Sequence, residues 1–384
     1  MKYVFLVWSG MWRKRARTAL ILLQVIVAFT LFGVLQGLDT GIKQAISKTH
    51  ADRMYVMSRV SGGGGYGDLL PYALLSQIEH VPGVRTATYE TGLGGIYQNP
   101  DQQVAAQGVD AASFARIFPE VAIPAGTLAA LARTRTGAIA GEQLVRRYGW
   151  KVGDRIPIQS PLARRDGSNN WSFDIVGTFT EPDDPDRANY LIANYAYLNE
   201  ARETNRDTVN EFVIQINDPK RSANIGHEID QLFDNSPHET RTMSEANLIS
   251  NQVQRIGDIG FLTHAVTAAA FFALLFATGT LMMQTVRERT PELAVLKTVG
   301  FADARVMSLI LAEALVSCLI GASVGLAIAA LLLPRARQLI GLGYLPGIVI
   351  AAGFVCAICL ALLSGAIPAW RGMRLEVATA LSKR

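Results

Sequence analysis

The chain has 384 residues, of which 50% are hydrophobic and only 18% charged. That composition excludes a disordered chain and a disulfide-stapled miniature scaffold, and it suits a membrane protein carrying a sizeable soluble part. The formal net charge of +4 would suit nucleic acid, but the basic residues cluster beside apolar runs, as orientation signals for a bilayer do.

Ahead of the first long apolar run lies Tyr3 to Trp12, where Trp8 and Trp12 precede Arg13, Lys14, Arg15 and Arg17. Aromatics followed by cations predict an interfacial elbow. The run that follows is too long for a cleaved leader and has no small-x-small site after it, so it reads as a retained anchor. Four segments are long enough to cross a bilayer, which needs ~20 residues: roughly 18–38, 260–286, 306–333 and 345–369. Basic residues gather at the N-terminus, at Arg287, Arg289, Lys297 and Arg305, and at Arg371, Arg374, Lys383 and Arg384, whereas the loop between the last two segments offers Arg335 and Arg337. This bias predicts cytoplasmic termini and an extracytoplasmic region over about 39–259.

Within that region Arg53 to Arg59 reads as a strand, Pro71 to His80 as a helix, and Val84 to Glu90 and Gln103 to Val109 as strands. Glu211 to Ile216, Pro219 to Phe233 and Glu239 to Met243 then read as strand, helix and strand. The order β-α-β-β, interruption, β-α-β predicts a ferredoxin-like layer with an insertion. In the insertion, Gly141 to Tyr148 looks helical, and Asp154 to Gln159 and Trp171 to Phe179 look like paired strands. The glycine-rich run Ser61 to Gly67 lacks the Lys-Ser/Thr ending of a P-loop and reads as a surface loop. Further on, Ile249, Val253 and Ile256 make one helical stripe, and no proline follows before Val286. A continuous helix there would run about 60 Å and could join the domain rigidly to the membrane part, unless Gly257 or Gly260 breaks it.

Between the second and third apolar segments lies a short capped helix, placed over 287–303. Thr290 reads as its N-cap, Pro291 as its first residue, Glu292 as a negative charge on the positive helix end, and Gly300 as the residue past its C-terminus. Leu293, Leu296 and Val299 make an apolar edge. A helix this short is marginal in water and must lean on something; a soluble protein docking at the membrane face is the expected partner. Glu313, inside the third segment, is assigned to packing or a hinge in preference to a proton relay, since no other span offers an Asp, Glu or Lys. Gly33 with Gly37, and Gly321 with Gly325, permit close helix contact, either within the bundle or across a dimer. The three cysteines, Cys318, Cys356 and Cys359, all lie in apolar runs and read as packing residues, not as a metal or redox motif. There is no nucleophile-base constellation, so no catalytic residues and no metal site are assigned.

The residues Val286 to Gly300, VRERTPELAVLKTVG, resemble the signature (V/N)-x-E-R-x-x-E-I-G-x-L-(K/R)-A-x-G of the MacB/FtsX family, the type VII ABC transporter permeases. Glu313 stands where the family often has Glu, and Pro368 to Leu381 is similar to the family's closing P-A-x-x-A-x-x-x-x-P-x-x-A-L-(K/R). Val152 to Ile156 and Phe173 to Gly177 resemble its periplasmic core. Ala294 replaces the usual Gly and Val377 the usual Pro. The resemblance implies a multi-pass α-helical membrane protein with four transmembrane helices and a large α+β extracytoplasmic domain between helices 1 and 2. The expected parts are 1–46 (elbow and helix 1), 47–255 (MacB-like periplasmic core) and 256–384 (FtsX-like permease domain). It implies a non-catalytic permease of the bacterial inner membrane, paired with a second copy and with a separate cytoplasmic ATPase that binds ATP and Mg. Arg289, Thr290, Pro291, Glu292, Leu293, Leu296 and Lys297 would form the ATPase-coupling contact. The expected function is export of a hydrophobic or amphipathic substrate with a periplasmic adaptor and without nucleic acid; an FtsX-like regulator of a periplasmic hydrolase and a lipoprotein-releasing permease are the alternatives.

Overall fold

The computed structural model describes residues 15–60, 68–255, 259–298, 302–340 and 343–373. The predicted elbow and the Ser61 to Gly67 loop lie outside the described residues. The chain forms two compact units, Ile46–Gln252 and the remainder. The first long helix, α1 (Arg15–Ser47), leads into the inserted unit.

The inserted domain runs through β1 (Arg53–Ser58), β2 (Leu70–Pro71), α2 (Leu75–Glu79), β3 (Val84–Ile96) and β4 (Gln103–Val109), then α3 (Ala111–Ile117), α4 (Thr127–Arg133), β5 (Gly137–Gly141) and α5 (Glu142–Tyr148). It continues with β6 (Arg155–Gln159), β7 (Asn170–Phe179), β8 (Tyr190–Asn194), α6 (Tyr195–Ala201) and β9 (Thr208–Val209), and ends with β10 (Glu211–Ile216), α7 (Ser222–Phe233), β11 (Thr240–Ser244) and α8 (Glu245–Arg255). The main sheet has the order β11-β1-β10-β3-β4-β8-β5-β7-β6. Its first four strands are mutually antiparallel, and with α2 and α7 they form the expected ferredoxin-like layer. The core between them is built from Met54, Val56, Ile78, Phe212, Ile214, Ile225 and Ile229.

The interruption is larger than the sequence suggests. β3 runs for 13 residues, past the predicted end at Glu90, and its far end pairs with β6 at Ile96 and Gln159. Strands β3, β4, β8, β5, β7 and β6 therefore close on themselves as a small barrel. Closure requires a residue without a side chain on β3: a Cβ at Gly95 would stand 2.5 Å from the Gln159 carbonyl oxygen. The Ser160 hydroxyl donates to the neighbouring Gly94 carbonyl at 2.7 Å. Trp171, Phe173, Ile158 and Trp150 pack together in one core of this lobe.

The second unit contains, with α1, the helices α9 (Ile259–Glu288), α10 (Thr290–Thr298), α11 (Asp303–Ile340) and α12 (Gly347–Met373). α1, α9, α11 and α12 contain four stretches long and apolar enough to cross a membrane, matching the predicted segments. The proposed rigid helix from Ile249 to Val286 is described as two, α8 and α9; Ile256 and Gly257, on which continuity depends, lie outside the described residues. The glycine motifs resolve into one contact inside the chain. A Cβ at Gly33 would meet Ala329 at 2.6 Å, and one at Gly321 would meet Val25 at 2.5 Å. One at Gly325 would stand 2.6 Å from the Ile26 carbonyl oxygen, an atom that cannot swing aside. A Cβ at Gly37 would meet the Leu333 side chain. α1 and α11 thus cross at van der Waals distance, and Thr30 Oγ1 donates to the Gly325 carbonyl at 3.2 Å.

Glu90 on β3 and Glu211 on β10 are direct cross-strand partners. Glu90 is buried. Burial and the charge of Glu211 push the Glu90 carboxyl well above the ordinary carboxylate range, against the pull of Arg53, and burial raises Glu211 too. A carboxyl raised in the fold favours the neutral form, so its contribution is present at acid pH and lost as pH rises from the unfolded value through the folded one. Thermal unfolding of the protein is therefore expected to fall between about pH 5 and pH 8, and Glu211→Gln to reduce that slope and raise the midpoint at neutral pH. An unchanged slope in the variant would show that the pair does not share the penalty.

Candidate coupling site

α10 has nine residues, too few to persist alone in water, and it is held by side chains at its two ends. At its N-terminal end Arg289 Nη1 donates to Glu313 Oε2 of α11 at 2.7 Å, with the two side chains 22% and 12% exposed. At its C-terminal end Lys297 Nζ donates to the Met373 carbonyl of α12 at 2.6 Å and pairs with Asp303 Oδ1, the first residue of α11, at 2.8 Å. The Lys297 side chain is 9% exposed although the residue is a lysine. On α1, Arg17 donates to Thr285 Oγ1 at 2.9 Å and forms an ion pair with Glu288 at the end of α9. The Arg289–Glu313 pair is partly shielded from water, which strengthens its Coulombic attraction, whereas Asp303 is 63% exposed. Together these contacts tie the short helix and its flanks to α1, α9, α11 and α12.

Several of the predicted site residues have partners within the chain. Arg289 and Lys297, which the family resemblance places at the ATPase contact, also bind partners in their own chain. Glu313 has its partner in the connecting segment, at Arg289, and not deeper in the membrane. Thr290 does not act as an N-cap acceptor: it is the first helical residue, and its hydroxyl donates back to the Val286 carbonyl at 3.1 Å. Pro291, Glu292, Leu293 and Leu296 lie on α10, but their side chains fall outside the described residues, as do Val299 and Gly300, which the sequence predicts at the helix end. Ala294 is fully buried on the same face as Thr290 and Lys297, by the 3.6-residue period. Val295, which the sequence reading did not single out, is 52% exposed. Its signal was present as an unpaired apolar residue between two inward positions, but the leucine edge hid it.

A cavity of about 530 Å³ lies in the inserted domain, lined by Tyr89, Val109, Asp110, Leu131, Asn194 and Tyr195, among others. Its polar side chains already serve the fold. Asp110 accepts from the Ser113 N–H to cap α3, and Asn194 accepts from the Ala196 N–H to cap α6.

The MacB-like periplasmic core domain matches residues 18–232, and the FtsX-like permease C-terminal domain matches residues 265–377. The chain belongs to the MacB/FtsX family of ABC transporter permeases. Among curated relatives it is similar to the pyoverdine export ATP-binding/permease protein PvdT of Pseudomonas putida KT2440, at 23% identity over 397 residues covering 98% of this chain and 58% of that one. The PvdT of Pseudomonas fluorescens Pf0-1 is similar at 23% over 399 residues, with the same coverage. The chain therefore spans 58% of the length of these relatives. Solved structures similar to it include the periplasmic region of MacB from Actinobacillus actinomycetemcomitans, with a TM-score of 0.40, 11% identity, and coverage of 56% of this chain and 97% of that one. The extracellular domain of the noncanonic ABC-type transporter YknZ from Gram-positive bacteria aligns with a TM-score of 0.36 at 11% identity, covering 50% of this chain and all of that domain. As a MacB/FtsX-family permease, the chain carries Ala294 where the family signature has Gly, and that position is completely buried.

The anchoring pair is open to a direct measurement. Arg289→Met or Glu313→Met alone strands the opposite charge and is expected to destabilise the protein by about 1–3 kcal/mol. The double variant should recover much of that loss in thermal unfolding in detergent. Additive losses would mean that the two side chains do not interact.

Proposed function

We propose that this permease couples ATP hydrolysis at its cytoplasmic face to movement of the inserted domain on the other side of the bacterial inner membrane, driving export of a hydrophobic or amphipathic substrate. The observation that carries this reading is the anchoring of α10. A helix too short to fold by itself is fastened to the ends of the membrane helices through one face, which leaves the Val295 face exposed. In this arrangement Arg289 and Lys297 position α10, and Val295 with Glu292 and Leu296 meets a cytoplasmic ATPase that binds ATP and Mg. Nucleotide-driven closure of two ATPases would swing α10 of two paired permeases, a homodimer being the simplest arrangement. Movement would reach the inserted domain along its two covalent connections, the end of α1 and the passage from α8 to α9. A periplasmic adaptor would complete the outward route.

Export is favoured over regulation of a hydrolase because relatives similar across 98% of this chain are named for pyoverdine export. The double-lobed domain, a ferredoxin-like layer joined to a closed barrel, also exceeds what a simple switch requires.

Replacing Val295 and Leu296 together by Asp charges the proposed docking face and leaves the Arg289 and Lys297 anchors in place. Co-purification of the ATPase is expected to be lost while the unfolding temperature of the permease stays near that of the wild type. Retention of the ATPase at wild-type stoichiometry would remove the docking assignment.

A further inference from the structure

The chain enters the inserted domain after Ser47 and leaves it through α8, and both crossings meet at one buried arginine. Arg53, the first residue of β1, is 3% exposed. Its guanidinium holds both Glu120 oxygens, Nη1 to Oε1 at 2.7 Å and Nη2 to Oε2 at 2.9 Å. Nη2 also donates to the Ile117 carbonyl at the end of α3, at 2.6 Å. Nη1 reaches Glu245 Oε2 at 3.5 Å, and Glu245 is the first residue of α8. The same carboxylate oxygen accepts the His50 backbone N–H at 3.1 Å, from the short link between α1 and β1. The ring of Phe118 lies under the guanidinium, 4.3 Å away. Burial alone would raise the Glu120 carboxyl, but the hydrogen bonds and charge of Arg53 outweigh it and hold it low.

A buried charge is expensive unless it is paired and hydrogen-bonded throughout. An arginine whose only task was to fill space beside Phe118 could be replaced by an apolar residue at little cost. Here its partners are distributed with a pattern. β1 and β11 lie side by side, with Met54 opposite Ser244, so the entering and leaving segments are neighbours. Arg53 fastens both of them to the end of α3. The apolar residues of that end, Phe114, Ile117 and Phe118, pack in a core with Ile139 and Ile192 of the barrel and Val213 of β10. That core joins the two lobes.

We propose that Arg53 is the positioning residue through which movement arriving along α1 and α8 is delivered to the inserted domain. The guanidinium gathers the two crossings through Glu245 and passes their displacement to α3 and Glu120, and so to the core shared by the lobes. Without it the stalks would still move, but the lobes would follow only through the β1 and β11 ladders. This inference rests on the ATP-coupled reading above.

Hydrogen exchange of the full chain co-purified with its ATPase in nanodiscs, with and without ATP and Mg, tests it. Two variants are needed. Arg53→Lys keeps the charge and removes the fork. The triple variant Arg53→Met, Glu120→Gln, Glu245→Gln removes the network without stranding a charge, a replacement that buried ion clusters often tolerate. In the wild type, nucleotide is expected to change exchange both in α8 (245–255) and in α3 (111–117). In both variants the α8 response and the ATPase rate should persist while the α3 response falls about tenfold, the scale of losing a charge-assisted hydrogen bond. An α3 response as large as the wild type's in the triple variant would overturn the proposal, even if that variant melts at a lower temperature, because Arg53 would then be structural only. A wild type responding in α8 and not in α3 would also overturn it and leave the ATP-coupled reading standing. No wild-type response in either segment would remove that reading and this inference with it.

Discussion

The structure depends on charge pairing at the edge of an apolar bundle. α10 has nine residues and no means of sustaining itself in water. What fixes it are Arg289 on Glu313 and Lys297 between Asp303 and the end of α12, supported by Arg17 on Glu288. Arg289 and Lys297 both reach α11, and Lys297 also reaches the end of α12, so the short helix cannot tilt without disturbing both. This is a stiff mounting, and a stiff mounting is what a docking element requires if force applied to it is to reach the bundle. The glycine contacts between α1 and α11 serve the same end: a Cβ at Gly33, Gly321 or Gly325 would meet Ala329, Val25 or the Ile26 carbonyl, so the two helices approach closely there.

A similar economy governs the inserted domain. β3 belongs to both lobes, giving one half of its length to the ferredoxin-like layer and the other to the barrel. The two lobes also share the core containing Phe114, Ile139, Ile192 and Val213. A strand and a core in common leave little freedom for the lobes to move separately, and Arg53 sits where the chain enters and leaves this composite.

Much of the architecture was legible because its signals are local. Four long apolar runs, period-2 strands such as Glu211 to Ile216, and Gly141 ahead of a helical pattern needed no tertiary information. β5 and β8 escaped notice because their central residues, Ala138 to Ala140 and Leu191 to Ala193, are buried on both faces, so no alternation marks them. The extension of β3 to Ile96 was hidden by Gly92, Gly94 and Gly95, which weaken a strand pattern, although Gly95 is what lets the barrel close. At the coupling site, spacing located α10 but not the directions of its charges. Arg289 and Lys297 look like surface cations in one dimension; only the return of α11 and the end of α12 supplies Glu313, Asp303 and a free carbonyl to bind them. The dual reading of the glycine motifs was likewise undecidable until both halves met inside one chain.

The central claim is that α10 and the inserted domain lie on opposite sides of one membrane and are parts of one mechanical path. Its most direct test is side-specific labelling of single cysteines in a chain from which Cys318, Cys356 and Cys359 have been removed. Val295→Cys reports on α10, and Leu232→Cys, at a position 53% exposed in the native protein, reports on the inserted domain. The account predicts that a membrane-impermeant maleimide added to intact spheroplasts labels position 232 and spares 295, and that inverted vesicles give the reverse. Labelling of both positions from the same side of a sealed membrane would contradict it.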